Sequence, residues 1–255
     1  MTQQTILITG ASSGLGAEMA RQFAARGHHL ALCARRTERL EELRAEINAA
    51  IPGCRISVRA LDVNDHDAVF EVFRAFRAEA AAEGRRIDRV IVNAGIGKGA
   101  PLGTGKFHAN KETAMTNFVA GLAQAEAAME LFRAQDGGHL VMVSSVSAKR
   151  GMPKAMTAYA ATKAGVAHLA EGVRTEMHGK PQYKVSVIYP GFIVSEMSDR
   201  TRKPGLLMAP TEKGVRAIVD AVEKEKKSAA VPGWPWTPLA AVLKVAPLGV
   251  IRKMV

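Results

Sequence analysis

Tyr159 and Lys163 stand four residues apart in YAATK, downstream of an apolar run that ends in VSSVS. On a helix that spacing puts both side chains on one face, so a phenol and an ammonium can act on one substrate atom. An unperturbed phenol titrates near pH ~10, and a fixed positive charge close by favours the phenolate. Lys163 would make Tyr159 a usable acid or base. Ser145 offers a hydroxyl that can hydrogen-bond a substrate oxygen as its charge changes. Tyr and Lys at this spacing are more often a partly buried ring beside a solvated amine, so the surrounding elements decide the reading.

Those elements alternate. Runs rich in β-branched residues (TILIT, HLALCA, RISVRALDV, RVIVNAG, HLVMVSS, KVSVIYPG, SAAVP) are separated by amphipathic stretches, including a long helical segment across 112–135. Strands apolar throughout are buried on both faces, which predicts an α/β parallel sheet of about seven strands with helices on both sides. Right-handed connections make it a doubly wound, Rossmann-type sheet. With 255 residues and 47% hydrophobic content the chain can bury one sizeable core. We expect a catalytic domain over residues 1–231 and a Pro- and Trp-containing tail over 232–255.

Composition narrows the partners. Thirty-five Lys and Arg against 24 Asp and Glu leave a net charge of +11, which suits an anionic cofactor, an acidic partner or an anionic lipid surface. No zinc-finger or helix-turn-helix pattern and no aromatic platform accompanies the cations, so nucleic acid is not expected. Cys33 and Cys54 are too few for a disulfide framework, and the seven histidines are scattered, so no metal is expected. The N-terminus runs directly into a strand pattern without a secretory signal, and a cytoplasmic location is expected.

After the first strand, TGASSGLG places Gly10, Gly14 and Gly16 in a strand-to-helix turn. Such a turn lets the backbone approach a pyrophosphate at a helix N-terminus, where free N–H groups and the dipole favour negative charge. Its GxxxGxG spacing differs from the GxGxxG of many dehydrogenases. The second strand ends in CARRTERL, with Arg35 and Arg36 where an acid would hold the ribose hydroxyls of NAD. Basic residues there accommodate a 2′-phosphate. A helix start otherwise disfavours positive charge, so NADP(H) is the expected cofactor.

With VNAG at 92–95, Asn117, Ser145, YAATK and YPG at 189–191 in the same chain, the sequence resembles the short-chain dehydrogenase/reductase family in its compact single-domain form. The resemblance runs from residue 5 to the region of residue 230. It implies that Gly10, Ser12, Ser13, Gly14, Leu15 and Gly16 form the pyrophosphate and ribose loop, and that Asp62 and Val63 flank the adenine. Asn93, Ala94 and Gly95 would line the ribose. Asn117 would hold a water behind the lysine, Ser145 would orient substrate, and Tyr159 would be the proton donor or acceptor. Lys163 would bind the nicotinamide ribose and lower the tyrosine pKa, while Pro190, Gly191, Ile193 and Ser195 would hold the carboxamide and pyrophosphate.

The chain departs from the family pattern in three places. Ser144 adjoins Ser145, and successive strand residues point to opposite faces, so one of them serves; Ser145 is preferred, with 13 residues between it and Tyr159, one more than is usual in the family. Ser195 replaces a threonine and keeps the hydroxyl. VNAG has one asparagine where many members have two.

The expected activity is interconversion of a carbonyl and a secondary alcohol. Its rivals are a non-catalytic NADP-binding sensor or scaffold, and a reductase of lipid-derived carbonyls at a membrane surface. Met197, Leu206, Leu207 and Met208 suggest a hydrophobic or amphipathic small-molecule substrate. By resemblance, a homodimer or homotetramer would form through helices at 112–135 and 158–178. In the tail, prolines at 232, 235, 238 and 247 limit an unbroken apolar helix to LAAVLKVA, too short to span a bilayer. Packing over the protein's own pocket or a neighbouring subunit is favoured there over peripheral membrane contact, because lone cations attract anionic lipid weakly.

Overall fold

The computed structural model describes residues 2–196 and 207–254; Met197 and Leu206 lie outside them. Seven strands form one parallel sheet in the order β3-β2-β1-β4-β5-β6-β7. They are β1 Thr5–Thr9, β2 His29–Ala34, β3 Ile56–Ala60, β4 Arg89–Val92, β5 Gly138–Val143, β6 Tyr183–Pro190 and β7 Ser228–Val231. Every residue of β1, β2 and β4 is buried, as expected of strands covered on both faces. Alternation along β1 sends Leu7 into one apolar cluster and Ile6 and Ile8 into another on the opposite side.

The helices α1 Gly14–Ala25, α2 Thr37–Ala50 and α7 Thr211–Glu223 cover the second face through Met19, Phe23, Leu40 and Ile218. The other face carries α3 His66–Ala82, α5 Ala120–Ala134 and α6 Met156–Glu176, packed through Phe73, Phe132 and Val166. The chain order reverses between β1 and β4. The carboxyl ends of strands on either side of such a reversal open into a crevice, and the site residues gather there.

Two elements differ from the sequence expectation. The single helix expected across 112–135 is interrupted: α4 Phe107–Ala114 passes into a π-helical turn, Met115–Val119, before α5 begins. The tail is also more helical than its prolines suggest, with α8 Gly233–Val245 and α9 Leu248–Met254. Trp234 is non-helical, so regular helix begins beside Pro235. Pro235 therefore falls at the first helical position, where the backbone N–H has no helical partner to lose, and Pro238 lies one turn inside, where it forgoes a single bond. Trp236 on α8 is buried within the same cluster as Tyr189 of β6 and Val146.

Candidate active site

The first βα turn is built on close backbone approach. Gly10 and Gly14 have φ of +65° and +53°, a region that side-chain-bearing residues seldom adopt. At Gly16 a Cβ would lie 2.3 Å from the Gly10 carbonyl oxygen, so the helix can start this close to the strand only with glycine. Thr9, at the end of β1, ties the turn to β4: its hydroxyl accepts from the amides of Asn93 and Ala94, both at 3.1 Å, and donates to the Ile91 carbonyl at 3.4 Å. Asn93 returns Nδ2 to the Thr9 carbonyl at 3.0 Å.

Ser13 caps α1 by position without a side-chain bond to the helix. Its Oγ instead accepts from Nη2 of Arg36 at 2.7 Å. Arg36 also meets the Glu196 carboxylate at 3.3 Å, and Arg39 pairs with the other oxygen of that carboxylate. The paired guanidiniums, Arg39 foremost, hold the Glu196 carboxyl below the usual carboxylate range. Arg35 is exposed, whereas Arg36 turns toward the glycine turn. The turn, its half-buried Ser12 and Ser13 and a guanidinium beside α1 suit an anionic dinucleotide.

Around that turn lie the other expected cofactor contacts. Val63 is buried, and Asp62 is exposed, its Oδ1 accepting from the backbone and side chain of Asn64. Leu15 packs on the second apolar cluster. Beyond β6, Ser195 comes to face Gly14, whose Cβ would lie 3.5 Å from that of Ser195. Ile193 is buried against Gly214 of α7 and bridges Ala209, so its side chain belongs to the core. Pro190 is buried at the end of β6, and Gly191 lies under Trp236.

The expected chemistry-bearing residues sit across the crevice on β5, the π-helical turn and α6. Ser145 follows β5 and opens the 3-10 turn Val146–Lys149. Its Oγ accepts from the Ser147 amide at 3.2 Å and from the Ser147 hydroxyl at 2.9 Å. With both lone pairs engaged, the Ser145 hydroxyl has only its proton to offer, and it lowers the pKa of Tyr159 by hydrogen bonding. Ser144 points the other way, buried, donating to the Lys163 carbonyl at 2.7 Å. The structure thus separates the two serines on opposite faces.

Lys163 is buried and donates from Nζ to the Val143 carbonyl at 3.0 Å. Burial pulls its pKa down to about 8. The ammonium lies 6.0 Å from the centroid of the Tyr159 ring. Burial raises the Tyr159 pKa more than Ser145 lowers it, contrary to the lowering expected from Lys163. Desolvation of the phenolate outweighs an ammonium spent on a backbone carbonyl. The proton therefore resides on Tyr159.

Asn117 lies in the π-helical turn and is buried. Its Oδ1 accepts from the Ile96 amide at 2.8 Å and its Nδ2 donates to the Ile96 carbonyl at 2.9 Å and to Thr162 Oγ1 at 3.4 Å. A Cβ on Gly95 would lie 3.0 Å from Asn117 Oδ1 and 3.4 Å from Lys163 Nζ. VNAG, the π-helical turn and α6 thus converge at Gly95. A π bulge often marks a functional site, and here it carries Asn117.

Sequence reasoning did not single out Thr9, Ser147, Glu196 or Trp236. The hydroxyl cluster of VSSVS was a signal for Ser147; Glu196 and Trp236 act across long sequence separations that no local pattern reports.

Residues 4–205 match the family described as short chain dehydrogenase. The chain belongs to this family. An uncharacterized oxidoreductase of Mycobacterium tuberculosis is 52% identical to this short-chain dehydrogenase over 253 residues, 99% of this chain and 98% of that protein. Another, from Myxococcus xanthus, is 32% identical over 247 residues, 97% and 94% of the two chains. Among solved structures, a short-chain dehydrogenase from Sphingobium yanoikuyae in complex with NADPH superposes with a TM-score of 0.79 at 27% identity, covering 97% of this chain and 95% of that one. A bulky-bulky ketone specific alcohol dehydrogenase from Comamonas testosteroni gives 0.77 at 26%, covering 95% and 92%.

Proposed function

We propose that this short-chain dehydrogenase is an NADP(H)-dependent oxidoreductase that interconverts a carbonyl and a secondary alcohol. The observation that carries the reading is the hydroxyl pair of Tyr159 and Ser145: a phenol that keeps its proton, beside a serine whose lone pairs are filled. Two such donors converging on one oxygen suit a carbonyl that becomes an alkoxide.

Gly10, Gly14 and Gly16, with Ser12, Ser13 and Arg36, would hold the dinucleotide, and the nicotinamide supplies the hydride. Ser145 donates to the substrate oxygen and fixes its position. Tyr159 delivers its proton to that oxygen in reduction and takes it back in oxidation. Lys163, poised near neutrality by burial, resupplies positive charge behind the phenol. Asn117 braces Ile96 and thereby the loop beside Lys163. Arg36 on Ser13 supports a 2′-phosphate, and the NADPH held by the Sphingobium relative agrees with that choice.

Oxidation of NADPH followed by absorbance against a panel of ketones and aldehydes, hydrophobic and hydrophilic, tests the reading. Turnover of at least one carbonyl is expected, dependent on Tyr159 and faster with NADPH than NADH. NADPH binding without turnover of any carbonyl or alcohol would leave a cofactor sensor as the better description.

A further inference from the structure

α8 is apolar on two faces, and the fold covers one of them. Trp236, Ala240 and Leu243, spaced four and three residues apart, form the buried face, continued by Ala246 and by Ile251 of α9. Pro238, Val242 and Val245 repeat the same spacing on the outer side. Val242 is 56% exposed and Val245 81%, followed by Leu248 at 70% and preceded by Trp234 at 82%. A surface helix ordinarily turns polar residues outward, and large contiguous apolar exposure marks an interaction surface.

The charge carried by the two helices is positive. After Glu225 the sequence contains no Asp or Glu, and each of the two helices carries an exposed cation, Lys244 on α8 and Arg252 on α9. Lys149, beside α8, is pulled down to about 8 by burial and by repulsion from Lys244, opposed by Glu171. A two-fold contact between copies through this face would set Lys244 and Arg252 against the same cations of a second copy. An anionic bilayer surface offers the complement in both respects, acyl chains for the outer valines and leucine and phosphate for the cations.

We infer that the outer face of α8 and α9 seats the protein on an anionic lipid surface. The inner face of α8 packs on the protein itself through Trp236, Ala240 and Leu243, and the outer face is the one proposed to meet lipid. No helix among the described residues is long and apolar enough to cross a membrane, so the contact is peripheral. Met152, between Ser145 and Tyr159, packs against Leu243, Ala246 and Ile251. The lipid-facing helices therefore rest against the loop that leads into α6, the element that carries Tyr159, and a carbonyl compound leaving the bilayer there would enter beside the site. The seating itself does not depend on the proposed reaction.

Flotation with vesicles of phosphatidylcholine alone, or of equimolar phosphatidylcholine and phosphatidylglycerol, tests the inference on the full chain. Binding to the anionic vesicles, weakened by salt, is expected, with little to phosphatidylcholine. Trp234 emission should shift to the blue on binding, while Trp236 is already buried. The double variant Val245→Glu/Leu248→Glu exchanges exposed residues and should keep its melting temperature, yet lose affinity for anionic vesicles by about tenfold or more. Absence of vesicle binding at low salt would overturn the inference. So would a variant that turns an oligomer into a monomer and leaves vesicle binding unchanged, which would assign the face to a second copy.

Discussion

The indole of Trp236 lies where a side chain on Gly191 would have to go: a Cβ there would fall 2.1 Å from the ring. Phe192 meets the same indole edge-on, with centroids 5.1 Å apart. The end of β6 is thus held under α8. Gly191→Ala should destabilise the fold by about 1–3 kcal/mol through overpacking, and Trp236→Ala by about 3–5 kcal/mol through loss of a buried aromatic. The double variant should cost clearly less than the two added together, because the methyl group enters the space the indole leaves. Denaturant unfolding of all three variants checks this; strict additivity would mean that the residues do not share the space.

Tyr159→Phe removes the proposed proton donor and should lower kcat by roughly 10² to 10⁴ while leaving NADPH binding nearly intact. Ser145→Ala should also lower kcat severely. Ser144→Ala should cost about 1 kcal/mol of stability through the lost bond to the Lys163 carbonyl, with modest change in kcat. Steady-state kinetics beside thermal melts separates the two serines, and the opposite ranking would exchange their roles.

Arg36→Ala should weaken NADPH by about tenfold to a hundredfold, as expected for loss of a charge-assisted bond, and leave NADH nearly unchanged. Arg35→Ala, at an exposed position, should do much less. Glu196→Gln should tighten NADPH, because the carboxylate on Arg36 and Arg39 competes for the same guanidiniums. Fluorescence titration with both cofactors decides each point. Equal losses for Arg35→Ala and Arg36→Ala would divide the phosphate contact between them.

His139 on β5 is buried and shares a hydrogen bond of 2.7 Å with Ser186. Burial, aided by Arg89 and Lys184, drives its pKa from 6.5 down to about 3. The folded protein thus keeps it neutral where the unfolded chain would protonate it. Its contribution is complete above about pH 6.5 and is lost as pH falls toward about 3, by at most about 1.4 kcal/mol per pH unit. Unfolding free energies measured from about pH 7 to about pH 5 should fall, and His139→Gln should flatten the slope. An unchanged slope would place the acid sensitivity elsewhere, with His28 and His29, both also lowered by burial, next in line.

The sheet, the glycine turn and the Tyr159, Lys163 pair were readable because each rests on a short-range pattern: apolar strands, three glycines, one helical spacing. The opposite orientations of Ser144 and Ser145 followed from strand alternation alone. What escaped is set by packing between distant segments. Nothing local announces that Glu196 meets Arg36, 160 residues earlier in the chain, or that Trp236 caps Gly191. The raised pKa of Tyr159 escaped for a related reason: the spacing brings Lys163 near, but burial and the Val143 carbonyl decide where its charge is spent. The π-helical turn at Asn117 has no sequence signature, and the tail prolines read as breakers because their place near the start of α8 depends on where that helix begins.

The single hydroxyl of Thr9 grips the backbone of Ile91, Asn93 and Ala94 at once. A side chain so shared behaves as a rivet, fastening β1 to the end of β4 at the very place where the sheet parts to form the crevice. One jaw of the site is therefore pinned by side-chain bonds to backbone, and accommodation to differently shaped molecules falls to the opposite side, where α8 leans on Gly191 and Met152. Diversity of substrates among variants of this scaffold should accordingly arise from changes in that helical cover, with the strand ends left as they are.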